Sequence, residues 1–251
     1  TIGSITWIFL NENKLSNIKH GLVATCVGDS ANFTYKRSRI GNSEIDQTVI
    51  QVLEKSNTEY KIVNFFPYGS DERQFCSPGI NLPVGSLYRS EYASLEFPNY
   101  HTSGDNLKFV TKEALEDSYF KYMDIIFTLE KNMTQTEQSK ELAQSKELAQ
   151  SKDRIQSKEE NIKYFNLNPN CEPQLGKRGL YETIGSTVTH SQGGESVVNQ
   201  YALLWVLNFS DGQHSLYDIS QLSGYDFAII KNSAELLETK NLLRKVPDTK
   251  N

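Results

Sequence analysis

Cysteine is scarce: Cys26, Cys76 and Cys171 are the three in 251 residues. They are too few, too far apart and too odd in number for a disulfide framework, and no Cys-x-x-Cys pair offers a structural zinc site. A reducing, cytoplasmic setting is the expectation. Basic charge is not in excess either, with 26 Lys and Arg against 31 Asp and Glu and a formal net charge of -5. That balance argues against nucleic acid, whose backbone is held by clustered cations. No apolar run approaches the roughly 20 residues that cross a bilayer. Thr1 to Leu10 lacks the basic flank and small-residue cleavage site of a signal peptide, so no membrane partner is expected. The chain opens on Thr1 without a methionine, as a fragment or a processed product would. Hydrophobic residues reach only 37%, which still suffices for one large domain or two modest ones.

What is present first is an alternation. Ile5, Ile8 and Phe9 have helical spacing within Ile2 to Asn11, and Leu22 to Val27 is a short buried-strand run closed by Gly28-Asp29. Asn42 or Ser43 is placed to cap a helix with Ile45, Val49, Ile50 and Leu53 on one stripe, and Tyr60 to Phe66 is another β-rich run. Helix and strand in turn predict an α/β sheet. From Pro67 to Asn106 the pattern dissolves into Gly, Pro, Ser, Asp and Asn with interspersed aromatics. So long an irregular stretch in a compact domain is where a site is expected. Thr111 then caps a helix through Leu115, Tyr119, Tyr122, Ile126 and Leu129.

Next comes a six-residue repeat, Gln138-Ser139-Lys140-Glu141-Leu142-Ala143, copied at 144–149 and loosely twice more up to Asn161. Six residues turn a helix through about 600°, so each copy is rotated by about 120° and its leucines form no continuous stripe. A solvated helix or a disordered arm fits that period better than a coiled coil. After a Gly- and Pro-containing loop, Val197 to Leu207, Leu216 to Leu222 and Phe227 to Leu237 read as three helices followed by a Leu242-Leu243 strand, a small winged-helix unit. From Val197 onward five Lys and Arg face six Asp and Glu. A docking module for a protein partner or a second copy suits this balance better than a major-groove reader.

The irregular segment gathers Asp71, Glu72, Arg73, Cys76, His101 and Asp105 with several tyrosines. A histidine with carboxylates on loops is the donor set of a hydrolytic zinc site, because imidazole nitrogen and carboxylate oxygen suit the ion and leave a position for water. A loop histidine is more commonly a surface or hydrogen-bonded residue, and His20, His190 and His214 keep that reading. A Cys76–His101 nucleophilic pair has no supporting motif.

Longer strings add to this. Gly69-Ser70-Asp71-Glu72-Arg73-Gln74-Phe75-Cys76-Ser77-Pro78-Gly79, Tyr100-His101-Thr102-Ser103-Gly104-Asp105-Asn106, Cys26-Val27-Gly28-Asp29 and Asn168-Pro169-Asn170-Cys171-Glu172-Pro173 resemble a family of bacterial proteins with an aminopeptidase-like domain and a winged-helix tail. Some of its members are named as polysaccharide biosynthesis proteins. The resemblance runs over nearly the whole chain. It implies a zinc exopeptidase-like fold, a mixed sheet between helices, here truncated at the N-terminus and followed by the winged helix. It divides the chain into the C-terminal part of the aminopeptidase-like domain (1–131), a repeat-containing insertion (132–163), a loop segment returning to the domain (164–196) and the winged-helix domain (197–251).

In that family a His-Thr-x-x-Asp segment supplies the last metal ligand, so the resemblance makes His101 a zinc ligand and Asp105 the brace of its loop. Asp71, Glu72 and Arg73 fall where related peptidases line the substrate site, with Glu72 in place of a histidine. Asp29 closes its strand where relatives have a metal-binding Asp, though a plain turn residue fits it equally. The implied chemistry is a zinc-bound water, deprotonated by a glutamate, attacking the first peptide bond of a peptide or amino-acyl substrate. The sequence departs from the pattern at its start. An upstream His and Asp are missing, the expected general-base Glu would stand just before Thr1, and Thr1 takes the place of a second glutamate, which favours one zinc over two. Glu182-Thr183-Ile184-Gly185-Ser186 repeats the letters in a different context. The chain by itself is thus expected to bind zinc weakly and to turn over no substrate, and a non-catalytic scaffold of the same fold is the alternative.

Overall fold

The computed structural model describes residues 2–90, 99–100, 102–139, 160–180 and 199–247, with 133–139 described by backbone alone. The chain divides into two compact units, one formed by residues 1–65, 69–76 and 81–153 and the other by 66–68, 77–80 and 154–251. Both are built of helices and strands, as expected.

The first unit is organised by a four-stranded mixed sheet of β1 (Gly21–Ala24), β2 (Phe33–Lys36), β3 (Tyr60–Val63) and β4 (Val84–Tyr88) in the order β1-β4-β2-β3. β1 runs parallel to β4 and β2 parallel to β3, while β4 and β2 are antiparallel. The parallel pair β2 and β3 requires a crossover, and α2 (Glu44–Lys55) supplies it. Ser43 caps that helix, and Asp46 reaches back to accept from the Ser43 amide at 2.9 Å and hydroxyl at 2.5 Å. Ile45, Val49, Val52 and Leu53 then bury one stripe against Phe33, Tyr35 and Leu87 on a face of the sheet, joined by Ile125 of α4 (Lys112–Ser139). Side chains alternate along a strand, so Thr34, Lys36, Ser86 and Tyr88 lie on the opposite face. The short helix α3 (Glu72–Phe75) packs toward that second face. It also meets the first helix, α1 (Ile2–Leu10), through Trp7 and Phe75, whose rings are 6.2 Å apart.

Two strands escape the sequence pattern. β4 lies inside the segment read as irregular because Gly85 and Ser86 dilute it, yet all five of its residues are buried. Gly85 is required there, since a Cβ would overlap the Tyr35 hydroxyl. β2 ends on Lys36, which reads as a solvated residue and is in fact buried. The stripe on α4 is also corrected. Leu115, Tyr119 and Ile126 are exposed, and the buried positions are Ala114, Ser118 and Ile125, with Tyr122 and Leu129 packed at the margin. Small residues at 114 and 118 let the helix approach the end of the sheet, where the Ser118 hydroxyl donates to the Val27 carbonyl at 2.7 Å.

The second unit holds β5 (Lys163–Asn166), α5 (Gln200–Phe209), β6 (Asp211–Ser215), α6 (Leu216–Ser223), α7 (Phe227–Thr239) and β7 (Leu243–Lys245). The strands are antiparallel with β5 in the centre. Asn199, Ser215 and Asp226 each accept a backbone amide hydrogen at the start of a helix. Gly224, at φ 71°, ends α6 in the left-handed region, where a residue with a Cβ is strained. Leu203, Val206, Ile219, Ile230, Leu237 and Leu242 form the interior. The six-residue repeat falls almost wholly outside the described residues.

Candidate functional site

Because β1 and β4 are parallel, the turns that follow them emerge at one end of the sheet, together with the start of the antiparallel β2 and the start of α4. Arg89, the residue after β4, ties this end together. Its amide donates to the Cys26 carbonyl at 3.0 Å. Its guanidinium donates to the Ala31 carbonyl at 2.8 Å and to the Ser118 hydroxyl at 2.9 Å, pairs with Asp117, and lies 4.2 Å from the Phe33 ring centroid. Asp29 is buried in the same turn. Its Oδ1 accepts from the Ser90 hydroxyl at 2.6 Å and from the Ala31 amide at 2.9 Å, which fixes the carboxylate and leaves Oδ2 outside these bonds. Gly28 beside it accepts from the Thr111 amide at 2.8 Å, and a Cβ on it would meet Val110 at 2.6 Å.

Cys26 occupies the turn with a left-handed φ of 47°. Burial pushes its thiol pKa up, the Thr25 hydroxyl works against this, and the carboxylates of Asp29 and Asp105 add to the rise. Tyr100 is raised by burial and by the same thiol. Asp29, Asp105, Cys26 and Tyr100 therefore share this end of the sheet, Asp105 on an exposed loop. His101 lies outside the described residues.

Asp71, Glu72 and Arg73 are elsewhere. Glu72 Oε1 accepts from Lys36 Nζ at 2.7 Å and from the Ser70 amide at 3.2 Å, and the Glu72 and Lys36 side chains are each 1% exposed. Burial drives the Lys36 pKa down, and the Glu72 charge pulls it back up. Lys36 closes β2 opposite Ser86, four residues before Ser90, which lies just beyond the end of β4. At roughly 3.3 Å per residue the strand positions that anchor Glu72 and Asp29 are about 13 Å apart. Asp71, just before α3, and Arg73 within it flank Glu72, both half-buried. The described part of the chain thus brings Asp29 and Asp105 to one end of the sheet and the Asp71-Glu72-Arg73 group to the other.

A zinc ion needs about three protein donors at roughly 2 Å. Among the described residues no group of three or more His, Cys, Asp and Glu side chains could hold one. Asp29 is the best-placed carboxylate, and Glu72 already has an ammonium as its partner. The described residues alone therefore do not fit a zinc ion. Arg89, Ser90 and Ser118, which build the Asp29 end, carry no signal in the sequence, because they become adjacent only once β4 is recognised as the neighbour of β1.

The architecture defines a mixed α/β unit followed by an antiparallel three-stranded unit with three helices. Residues 1–132 match the family described as a domain of unknown function, DUF4910, and residues 162–245 match the winged helix-turn-helix family. The chain belongs to the DUF4910 family. It is 48% identical, over 246 residues and 98% of its length, to a Clostridium acetobutylicum protein provisionally named a polysaccharide biosynthesis protein with an aminopeptidase-like domain, and it spans 48% of that protein. It is also similar to a crystal structure of a provisionally named peptidase from Clostridium acetobutylicum, at 46% identity and a TM-score of 0.49, covering 98% of this chain and 46% of the other. The chain thus spans about half the length of the relatives it matches.

Proposed function

We propose that this chain carries part of a zinc-dependent aminopeptidase-like hydrolase, which removes N-terminal residues from peptides or cleaves a related amino-acyl amide. The observation that carries the reading is the 48% identity, over nearly the whole chain, to a protein named for an aminopeptidase-like domain. In this reading His101 and Asp29 are metal ligands, Asp105 braces the His101 loop, and further ligands and the general base come from outside the described residues. The buried, doubly bonded Asp29 in the turn after β1 supports its share, since a carboxylate with one oxygen fixed is held ready to offer the other. Asp71 and Arg73, half-buried, are read as the residues of this group that border the substrate, and Glu72, buried against Lys36, as the one that holds their stretch in place. The winged-helix unit is read as a docking element for a protein partner or a second copy, and the protein as cytoplasmic, with a role in polysaccharide biosynthesis like that named for the relative.

Hydrolysis of a panel of amino-acyl 4-nitroanilides by the longer Clostridium protein tests the enzyme reading. Turnover that rises with zinc, stops with a chelator and requires a free amino terminus is expected. A zinc-loaded protein that cleaves none of the panel would sink it.

A further inference from the structure

The chain carries an excess of acid, with a formal net charge of -5, yet one cleft of the first unit gathers cations. It lies between α2 and α4, which pack side by side on one face of the sheet. The Asn132 side-chain amide reaches the Thr48 hydroxyl near the start of α2 at 3.5 Å. The end of α2, with Lys55, therefore comes beside Lys121 on an earlier turn of α4. The cavity between the helices has a volume of about 370 Å³, at the lower end of the roughly 300–1,000 Å³ of small-molecule sites.

Lys55, Lys121 and Lys131 share this cavity with a single carboxylate, that of Asp124. Lysine and aspartate three residues apart on a helix are placed to pair. Lys121 and Asp124 have that spacing, and among the described residues neither of them makes an ion pair, nor does Lys55. Lys121 is half-buried, so its charge is not simply given up to open water. Like charges brought into one cleft repel, and an anion bound between them relieves that repulsion.

The other groups on the wall define what the anion carries. The Thr128 hydroxyl donates to the Asp124 carbonyl at 2.7 Å, so towards the cavity its oxygen only accepts. The Asp124 carboxylate also only accepts. Phe127, 63% exposed, offers a ring face for the apolar side of a ligand ring. From Lys121 to Phe127 the helix rises by about 9 Å, which separates a place for a charged group from a place for a ring. Ammonium groups, acceptors for hydroxyl hydrogens and an aromatic face together suit a hydroxylated ring that bears a phosphate. We propose that the cleft between α2 and α4 binds a phosphorylated sugar. Lys55 and Lys121 hold the phosphate, Asp124 and Thr128 accept from the sugar hydroxyls, and Phe127 lies against the ring. The site is argued from the cavity and its charges and does not depend on the peptidase reading.

Isothermal titration calorimetry of this chain with glucose 1-phosphate, AMP, inorganic phosphate, citrate and glucose tests it. At least one of the two esters should bind about tenfold or more tighter than inorganic phosphate, and tighter still than glucose, because charge and ring contacts are made together. Tighter binding of AMP identifies the sugar phosphate of a nucleotide as the source, and tighter binding of glucose 1-phosphate a free sugar phosphate. Lys55→Met and Lys121→Met should each weaken the ester at least about fivefold, and Phe127→Ala about threefold or more, at an unchanged melting temperature. Lys55 is exposed, so its variant carries the test if Lys121→Met lowers stability. Esters that bind no tighter than inorganic phosphate would overturn the proposal, as would an affinity that survives Lys55→Met. Citrate binding as tightly as the esters would also overturn it, since the cleft would then select charge alone.

Discussion

Removing the carboxylate of Glu72 isolates a buried ammonium. In Glu72→Gln the Lys36 side chain keeps its burial and loses its counter-charge. At 2.7 Å and an effective dielectric of about 20, the attraction between unit charges is about 6 kcal/mol. Taking two ions out of water costs several kcal/mol each, so the intact pair is close to neutral for stability. The single substitution leaves one of those costs uncompensated. Breaking a buried pair this way costs about 3–5 kcal/mol, and a glutamine carbonyl still able to accept from Lys36 places this variant near the lower end. Replacing both residues, in Lys36→Met with Glu72→Leu, removes both desolvation costs and should come within about 1 kcal/mol of the wild type. The pH dependence follows from Lys36. Its folded pKa is depressed below the ordinary 10.5, so the unfolded chain binds more protons between the two values and stability rises with pH across that window. Below the depressed value the penalty is present in full. Without Glu72 to pull it back, the pKa falls further, and the rise in the variant starts at lower pH. Urea unfolding followed by Trp7 fluorescence in a Trp205→Phe background reads the first unit alone, because each unit has one of the two tryptophans. A cost under about 1 kcal/mol for Glu72→Gln, or a double variant as unstable as the single, would mean that Lys36 is not held as a buried charge by Glu72.

Three further perturbations test the fold around the site. Asp46→Ala should destabilise the first unit by about 4 kcal/mol in the same assay, since it strands the Tyr35 hydroxyl and the Ser38 and Ser43 amides that bond to its carboxylate at 2.7–2.9 Å. Gly85→Ala should cost about 2–3 kcal/mol, because the new methyl group overlaps a Tyr35 ring that is fully buried and held by Asp46. With Ellman's reagent at pH 8, Cys26 should react first. Cys76 and Cys171, whose thiols burial pushes up to about 11, should stay protected until denaturant is added.

Much of the fold is legible from local chemistry. The Ser43 cap with the Ile45, Val49 and Leu53 stripe gives α2 because capping and periodicity act within a few residues. The same holds for the three helices after Asn199, each opened by a side chain that caps it. β2 and β4 are hidden because their residues are justified only by partners distant in sequence: Lys36 by Glu72, Gly85 by Tyr35, and Ser86 by its register opposite Lys36. The α4 stripe misleads because the large apolar residues mark an uncovered flank, whereas Ala114 and Ser118 mark the buried one. Within the candidate site, the sequence places Asp29 at the close of a Leu22–Val27 run, whereas β1 ends at Ala24 and Asp29 sits in the turn that follows. Its distance from Glu72 is not legible in the sequence, because it is set by β4 running antiparallel to β2.

If His101, with Asp29, gives this chain a share of a zinc site, as proposed, the zinc affinity of the chain depends on the imidazole. Competition against a chromogenic chelator should show weak binding to the wild-type chain, weaker by at least about tenfold in His101→Ala. Equal zinc affinities for the two chains would contradict the assignment.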